Sequence, residues 1–447
     1  MRILIVTQIF LPEMGAQSNR LYPITRELVA AGHRVFVATG MPNYPEGVVF
    51  PAYRGKFFQR EQIDGVEVLR TAHYTAPRNR TKWSQMGQYL SFIPAALFSG
   101  LRAGKIDVVL VTSPPLFSAI PAVFLAKLHR AALICDIRDL WPDEIVACGG
   151  ASEASMAVRA VSRLERWAYR SATKISCTTQ PFIDTIVARG VPRHKTLLIP
   201  NGADLDLFHP VPAKNPTVEQ YPFGDRFVVL YSGVLGIKHG LEMILEVARL
   251  LRDEKNIVFF LLGSGARREA LTQLAQRLGL DNVIFGGQRQ VHEIPQILAR
   301  ADVCLSALLP HPYLEKIITV KVFEYLACEK PVVASLAGET ARVLLESGGG
   351  LVVPQNNCRQ MADAILSLYR DESTRRRMGQ AGREYVEKNF SRSVWARRFE
   401  QEVVSAQHQR SSKTPKVFQS IGLLRPWSRW SQFNLTNHQT KTKQPPG

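Results

Sequence analysis

The segment FVVLYSGVLGIKHGLEMILEVARLL, residues 227–251, joins an apolar run to a stretch of helical periodicity through a loop that contains three glycines. The run Phe227–Tyr231 predicts a buried strand, and Leu241–Leu251 predicts a helix. In an open α/β sheet, ligands bind at the carboxyl ends of the strands, where such loops lie. The segment therefore predicts one strand–loop–helix unit of a doubly wound α/β domain.

The same pattern extends to both sides of this unit. Further strands are predicted at Ile3–Val6, Val35–Ala38, Val66–Leu69, Val108–Val111, Leu133–Cys135, Ile175–Cys177, Leu197–Ile199, Val258–Leu262, Val283–Phe285, Val303–Ser306, Pro331–Ala334 and Gly350–Val353. Segments with helical spacing alternate with them, which is typical of parallel sheets.

The boundary between two such domains is predicted at residues 208–224, which contain four prolines and read as a linker. We predict an α/β fold of two doubly wound, Rossmann-like parallel-sheet domains that face a central cleft, over residues 1–207 and 225–390. A C-terminal helix is predicted at 391–404, followed by a basic disordered tail at 405–447.

Composition limits the class of protein. The 447 residues are 46% hydrophobic and 21% charged, which excludes disorder as the main state. The six cysteines form no Cys-x-x-Cys pair, which argues against a zinc site or a disulfide scaffold and favours a reducing compartment. No apolar stretch reaches the roughly 20 residues that span a bilayer, and no secretory signal opens the chain. We therefore expect a cytoplasmic protein without a transmembrane helix.

The formal net charge of +18 is unevenly distributed. Residues 1–200 hold 24 basic and 14 acidic side chains, whereas residues 201–400 hold 25 and 23. No acidic residue occurs from Val68 to Ile106, where basic residues flank the apolar, helically spaced stretch Trp83–Leu101. Basic flanks and interfacial aromatics predict an in-plane membrane-docking element on an anionic surface. Its predicted contacts are Arg78, Arg80, Lys82, Trp83 and Phe92. A core helix with exposed ends is the alternative, and no nucleic-acid recognition motif accompanies the charge.

Three glycine loops between a strand and a helix are candidate phosphate sites. They contain Gly15, then Gly233 with Lys238, and then Gly263 with Gly265. Backbone N–H groups at a helix start favour an anion, and a lysine adds a compact cation. The alternatives are a plain turn for the first loop and an exposed lysine for the second.

A fourth candidate is the segment Glu315–Ala327, in which two glutamates and two lysines flank the start of an apolar helix. A carboxylate beside a helix start can accept hydrogen bonds from the paired hydroxyls of a ribose. A solvated charged turn is the alternative.

Taken together, these motifs resemble family 4 glycosyltransferases of the GT-B fold, and the resemblance covers about residues 1–400. The motifs that carry it are the Gly15 loop, Gly32–Val35, Ile199–Asp204, Lys238, the Gly263 loop and Lys321–Ala327. A narrower similarity is to the subgroup related to N-acetyl-fucosamine transferases of bacterial surface-polysaccharide synthesis. It is carried by Pro42–Pro45, Ser113–Leu116, Asp136–Pro142 and Val320–Tyr325.

The resemblance implies a role for each matching position. Glu324 would bind the donor ribose, and Glu315 would assist in the same segment. The diphosphate would be held by Gly15, Lys238, Thr319, Val320 and Lys321. The nucleotide pocket would be lined by Gly233, Gly263, Gly265 and Arg289.

Several positions depart from the family pattern. The usual Gly-Gly of the first loop is Gly15-Ala16, and a common arginine is replaced by Val234. The widespread His-Asp is Arg138-Asp139, so no catalytic histidine can be carried over. Asp139, with Arg138, is the candidate for orienting donor or acceptor, and a helix-capping aspartate is the alternative.

The resemblance implies a retaining transferase. It would move an N-acetylated sugar from a nucleoside-diphosphate donor, most simply UDP-linked, to a polyprenyl-diphosphate-linked acceptor on the inner face of the cytoplasmic membrane. Stabilising the departing diphosphate requires fixed cations and N–H groups rather than a protein nucleophile. We expect no cofactor and no essential metal. The alternatives are a nucleotide-sugar 2-epimerase and an inactive membrane- or polymer-binding scaffold.

Overall fold

A computed structural model describes residues 1–411, apart from residues 14, 77–80, 148, 151 and 153 and the side chains of Lys82 and Ser411. It contains two sheets. The strands of the first are β1 (Arg2–Val6), β2 (Arg34–Gly40), β3 (Phe58–Ile63), β4 (Val66–Thr71), β5 (Val108–Ser113), β6 (Ala132–Ile137), β7 (Lys174–Cys177) and β8 (Thr196–Leu198). Their order is β3-β4-β2-β1-β5-β6-β7-β8, and all neighbours are parallel except β3 and β4.

The second sheet is parallel throughout and has the order β11-β10-β9-β12-β13-β14. Its strands are β9 (Phe227–Ser232), β10 (Ile257–Leu262), β11 (Val283–Gly287), β12 (Val303–Ala307), β13 (Val332–Ser335) and β14 (Gly350–Val353). The strand order reverses beside β1 in the first sheet and beside β9 in the second, so the Gly15 and Gly233 loops lie at the switch points.

Helices connect the strands in both domains. They are α1 (Ala16–Ala30), α2 (Lys82–Arg102), α3 (Ala119–His129), α4 (Trp141–Ala147), α5 (Met156–Ser171), α6 (Gln180–Ala188), α7 (Pro216–Glu219), α8 (Leu241–Leu250), α9 (Arg268–Arg277), α10 (Ile294–Ala299), α11 (Val320–Ala327), α12 (Glu339–Ser347), α13 (Cys358–Arg370), α14 (Glu372–Asn389) and α15 (Arg392–Ser411). The predicted fold of two doubly wound domains is confirmed.

The sequence pattern did not indicate β3. Its segment Phe58–Ile63 mixes apolar and charged residues, and its side chains are half-buried or exposed. This is the composition of an antiparallel strand at a sheet edge, which buries only one face.

The C-terminal helix α15 returns to the first domain. Trp395, Phe399 and Val403 are buried in one cluster with Ile3 and Leu21. The helix expected over 391–404 runs on to Ser411, so the first residues of the expected tail are helical. Residues 412–447 lie outside the described part of the chain.

The helix α2 occupies the segment predicted to dock on a membrane, and one of those contacts is wrong. Phe92 is 1% exposed and packs in the core of the first domain, so it cannot enter a lipid surface. Trp83 is 85% exposed. Arg78 and Arg80 lie outside the described residues, as does the side chain of Lys82. Within the described ranges, no helix is both long and apolar enough to cross a membrane.

Candidate active site

Two glycine loops of the second domain touch at the carboxyl ends of β9 and β10. Gly233 and Gly263 have φ of +144° and +139°, values that favour glycine. A Cβ atom on Gly263 would lie 1.9 Å from the carbonyl oxygen of Gly233, and one on Gly265 would lie 2.4 Å from that of Leu235. Only glycine permits this approach, which brings the backbones of both loops to one point.

The side chain of Lys321 ends at the same point. Its Nζ atom lies 3.6 Å from the centre of the Tyr231 ring and would be 2.8 Å from a Cβ on Gly233. This buried nitrogen has no hydrogen-bond partner among the described residues. Burial lowers the pKa of Lys321 far below its usual value. A bound anionic group would supply the missing hydrogen-bond partner and would favour the charged form of Lys321.

Glu324 lies one turn further along α11. Its Oε1 atom is 3.9 Å from Nη2 of Arg392, which comes from the first turn of α15. Burial raises the pKa of Glu324, and the charges of Arg392 and Lys321 oppose that rise. The carboxyl group of Glu324 therefore lies between the basic side chains of Arg392 and Lys321.

The start of α11 is formed by Thr319 and Val320. Thr319 donates its amide to Oγ1 of Thr340 at 3.2 Å, so this N–H group is already used. Val320 is the first helical residue, where N–H groups have no intrahelical acceptor. In this turn, the N–H groups that have no intrahelical acceptor and no Thr340 partner therefore begin at Val320.

Two contacts join the first domain to the second beside these loops. Lys238 donates from Nζ to Oε1 of Glu144 at 3.3 Å, and Tyr313 donates from its hydroxyl to Oδ1 of Asp139 at 3.1 Å. Withdrawal from water and the nearby charge of Glu144 raise the pKa of Asp139 to about 6, against the effects of Lys238 and the Tyr313 hydrogen bond. Asp139 and Lys238 thus form one charged cluster with Glu144 across the domains.

Arg138 supports the first domain. Its Nε atom donates to Oγ1 of Thr112 at 3.1 Å, and its Nη2 atom donates to the carbonyl of Pro114 at 2.7 Å. These bonds direct the guanidinium to the turn after β5. The structure thus gives Arg138 a role in fixing this turn, one residue before Asp139.

Arg289 and Glu315 were predicted to contact the donor, and the structure gives their side chains the following contacts. Arg289 donates to Oε1 of Gln220 at 2.7 Å and lies over the Tyr221 ring, so the linker between the domains engages its guanidinium. The side chain of Glu315 is exposed, and its backbone packs against Gly338. These contacts hold the Arg289 guanidinium against the linker, whereas the Glu315 side chain is open to solvent.

In the first domain, Gly15 immediately precedes α1. A Cβ on Gly15 would lie 3.1 Å from Cε1 of Tyr44, so this aromatic ring covers the loop. The N-terminal turn of α1 and the ring of Tyr44 therefore border the same space.

Glu144 and Tyr313 belong to the site but were not predicted from the sequence. Glu144 lies five residues after Asp139, in the first turn of α4. This short spacing could have indicated from the sequence that the two carboxyl groups lie close together. Tyr313 is placed by the loop after β12, which has no distinctive pattern. In the part of the chain that the structure describes, no group of His, Cys, Asp or Glu side chains is arranged to hold a metal ion.

Two family models match the chain in succession. Residues 15–202 match the "Glycosyl transferase 4-like domain", and residues 215–385 match "Glycosyl transferases group 1". The first match contains β2–β8 and the second contains β9–β14.

Curated proteins with similar sequences are named as glycosyltransferases. The "Putative colanic acid biosynthesis glycosyl transferase WcaI" of Escherichia coli (strain K12) is 24% identical over 407 residues, which cover 89% of this chain and 98% of that protein. The "Probable glycosyltransferase WbjE" of Pseudomonas aeruginosa is 25% identical over 67% of this chain and 74% of its own length.

Solved structures share the fold over nearly the whole described chain. The sucrose-phosphate synthase of Thermosynechococcus elongatus has a TM-score of 0.71 at 21% identity and covers 92% of this chain and 100% of that one. The structure of Anabaena Alr3699/HepE in complex with UDP has a TM-score of 0.66 at 17% identity. The match covers 91% of this chain and 100% of that one.

Proposed function

We propose that this chain transfers a sugar from a uridine diphosphate donor to a saccharide acceptor in polysaccharide synthesis. The chain is a glycosyltransferase of the GT-B fold, in which a glycosyl transferase 4-like domain precedes a glycosyl transferase group 1 domain. The observation that carries the proposal is the buried side-chain nitrogen of Lys321, which has no hydrogen-bond partner among the described residues and lies at the meeting point of the Gly233 and Gly263 loops. The UDP and UDP-glucose bound by Anabaena HepE and the colanic acid synthesis named for WcaI support it.

The geometry suggests how the donor would be activated. The diphosphate gains negative charge as the bond to the sugar breaks. Lys321, Lys238 and the free N–H groups at the start of α11 would stabilise that charge. These groups are fixed before the donor arrives, so they favour the transition state with little reorganisation.

Glu324 would accept hydrogen bonds from the ribose hydroxyls. Asp139, held by Tyr313, would orient the reacting sugar. We further propose that the anomeric configuration is retained and that the departing diphosphate helps to deprotonate the acceptor, so that no protein nucleophile is needed. We propose an N-acetylated sugar on the resemblance that the sequence of residues 42–45 and 136–142 suggests.

A transfer assay with several UDP-sugars tests the proposed donor and the proposed retention of configuration. The protein is incubated with UDP-N-acetylglucosamine, UDP-glucose or other UDP-sugars and a lipid-linked saccharide, and the product is analysed by mass spectrometry and NMR. Transfer with an unchanged anomeric configuration is expected. Epimerisation or nucleotide release without a transferred sugar would contradict the proposal.

A lipid-linked acceptor would require the enzyme to work at a membrane, and three helices of the first domain favour this. The helices α2 and α3 contain no acidic residue, and the one acid of α5, Glu165, is buried and pairs with Arg189. Exposed cations and exposed apolar side chains occupy the outer surfaces of α3 and α5. We call this set the basic helix face: Phe124, Lys127, Leu128, Arg159, Arg163, Arg166, Trp167 and Arg170.

This surface matches an anionic membrane because it combines positive charge with large apolar groups. Lys127 Nζ lies 6.0 Å from the Trp167 ring, so charge and aromatic surface adjoin. The exposed Trp83 at the start of α2 would add a further aromatic contact.

Vesicle sedimentation tests this contact. Changing Arg159, Arg163 and Arg166 to Gln should reduce binding to vesicles that contain phosphatidylglycerol. The control changes the exposed pair Arg376 and Arg377 of the second domain to Gln. Equal binding of both variants would contradict the membrane assignment.

A further inference from the structure

The turn between β1 and α1 contains a carboxylate that no water reaches. Glu13 is 0% exposed. Its Oε1 atom accepts the backbone amides of Asn43 and Tyr44, each at 2.8 Å, and its Oε2 atom faces the amide of Phe10 at 3.4 Å. A single side chain thus connects the loop before α1 to the loop after β2.

The chemistry of these neighbours suits an ionised carboxylate. All three bonded groups are N–H donors, so a protonated oxygen would turn its hydrogen toward another donor. The charged group facing Glu13 is Arg70, which is fully buried, donates to the carbonyls of Leu11 and Gly40 and pairs with Glu61. Burial raises the pKa of Glu13 to about 7, and the amide bonds and Arg70 oppose this rise.

The position of Tyr44 depends on this arrangement. Its amide is bound by Glu13, while its ring lies against Gly15 at the start of α1. The following turn is closed by Gly47 donating to the carbonyl of Asn43 at 2.6 Å. The ring is nevertheless 36% exposed, although the backbone that carries it is fixed.

We propose that Glu13 is a positioning residue that holds the Tyr44 ring over the Gly15 loop, where the ring packs against a sugar of the acceptor. A partly exposed aromatic ring on a hydrogen-bonded backbone offers a flat apolar surface with a polar hydroxyl, which matches the apolar face and the hydroxyls of a pyranose. This inference rests on the proposed function for the nature of the ligand. The connection between the two loops stands on its own geometry.

Hydrogen–deuterium exchange of residues 41–47 tests the connection without turnover. The variant Glu13→Gln keeps an oxygen for Asn43 and Tyr44 but places an amide nitrogen against the Phe10 N–H. After correction for intrinsic rates, protection of this peptide at pH 8 should fall about tenfold or more, because hydrogen bonds to a charged acceptor contribute more than those to a neutral amide oxygen. Glu384→Gln, the same change at an exposed site of α14, should leave it unchanged. Equal protection in the two variants would overturn the proposal.

Kinetics test the consequence for the acceptor. In Glu13→Gln and in Tyr44→Ala, the acceptor KM should rise about tenfold while UDP affinity changes less than twofold. Tyr44→Phe, which keeps the ring and loses only the hydroxyl, should raise the acceptor KM less than Tyr44→Ala does. Wild-type KM in Tyr44→Ala, which leaves Glu13 and its bonds in place, would overturn the sugar contact. A wild-type protein that neither binds UDP nor transfers sugar would overturn the proposed function, and the exchange experiment would still decide the role of Glu13.

Discussion

Two ionisable side chains of this site, Lys321 and Glu324, are buried where their charged forms are disfavoured. Lys321 and Glu324 are separated by one helical turn, and burial shifts the pKa of each toward its neutral form. Perturbed groups of this kind concentrate where a protein binds or transforms a ligand. A bound diphosphate and ribose would supply the missing partners.

Replacing Glu324 tests the donor contact. Glu324→Ala should weaken UDP-sugar binding about 10- to 100-fold, because a hydrogen bond to a charged group contributes about 1.5–3 kcal/mol. Isothermal titration calorimetry measures the change, with Glu384→Ala as the matched control. Wild-type affinity in Glu324→Ala would remove this residue from the donor site.

His73 makes the stability of the first domain sensitive to acid. Burial lowers its pKa to about 4 from the ordinary value of 6.5, so below pH 6.5 the unfolded chain binds a proton that the folded chain does not. Stability should therefore fall as the pH decreases from 6.5 toward 4, by about 2 kcal/mol at pH 5. His73→Phe should flatten this part of the urea-denaturation profile, whereas His292→Phe at an exposed site should not. If the stability of His73→Phe depended on pH as steeply as that of the wild type, His73 would be excluded as the source of the acid sensitivity.

Among the elements, the strand–loop–helix units determine where the donor binds. The loops after β9 and β10 meet because glycine occupies both contact positions. The start of α11 reaches the same point from beside β12. The site is thus built from connections whose strands are buried throughout except at Ser232, the last residue of β9.

Gly263→Ala tests this requirement. The added methyl would meet the Gly233 carbonyl at 1.9 Å in a backbone conformation that alanine rarely adopts, so we expect the loss of UDP binding. Gly87→Ala in α2 is the control, because its methyl meets only Tyr74 at an ordinary 3.5 Å. Thermal unfolding with and without UDP distinguishes the two variants. A UDP-dependent rise in the melting temperature of Gly263→Ala equal to the wild-type rise would contradict this account.

Across the whole molecule, α15 connects the end of the second domain to the first. The helix leaves the second domain after α14 and buries Trp395, Phe399 and Val403 against the first. Its first residue, Arg392, also approaches Glu324, so the same helix contributes to the donor site and to the contact between domains.

Phe399→Ala should therefore lower the free energy of unfolding by about 3–5 kcal/mol, as for other buried phenylalanines. Chemical denaturation followed by circular dichroism measures it. Leu345→Ala, at a side chain that is 65% exposed, provides the control. A loss below about 1 kcal/mol in Phe399→Ala would mean that α15 contributes little to stability.

The parts predicted from the sequence are those with local signals. Buried parallel strands such as Val108–Val111 are continuous apolar runs, and the glycine loops follow them directly, so both are visible in the chain. The partners Glu144 and Tyr313 come from distant segments, and only the folded chain brings them to Lys238 and Asp139. The same limit explains why the membrane contact predicted for Phe92 was wrong. The helical periodicity of the sequence defines the apolar face of α2, but it does not show whether protein or lipid covers that face.

The surroundings of Lys321 also determine how nucleotide affinity varies with acidity. Because burial favours the uncharged amine in the free protein and a diphosphate would favour the ammonium, donor binding would take up a proton. Affinity should then rise as the pH falls, and the heat of UDP binding should depend on the ionisation enthalpy of the buffer. Lys321→Met should abolish that dependence, whereas a wild-type heat that is the same in phosphate and Tris would contradict it. The enzyme would therefore couple the loading of its donor to the proton concentration around it.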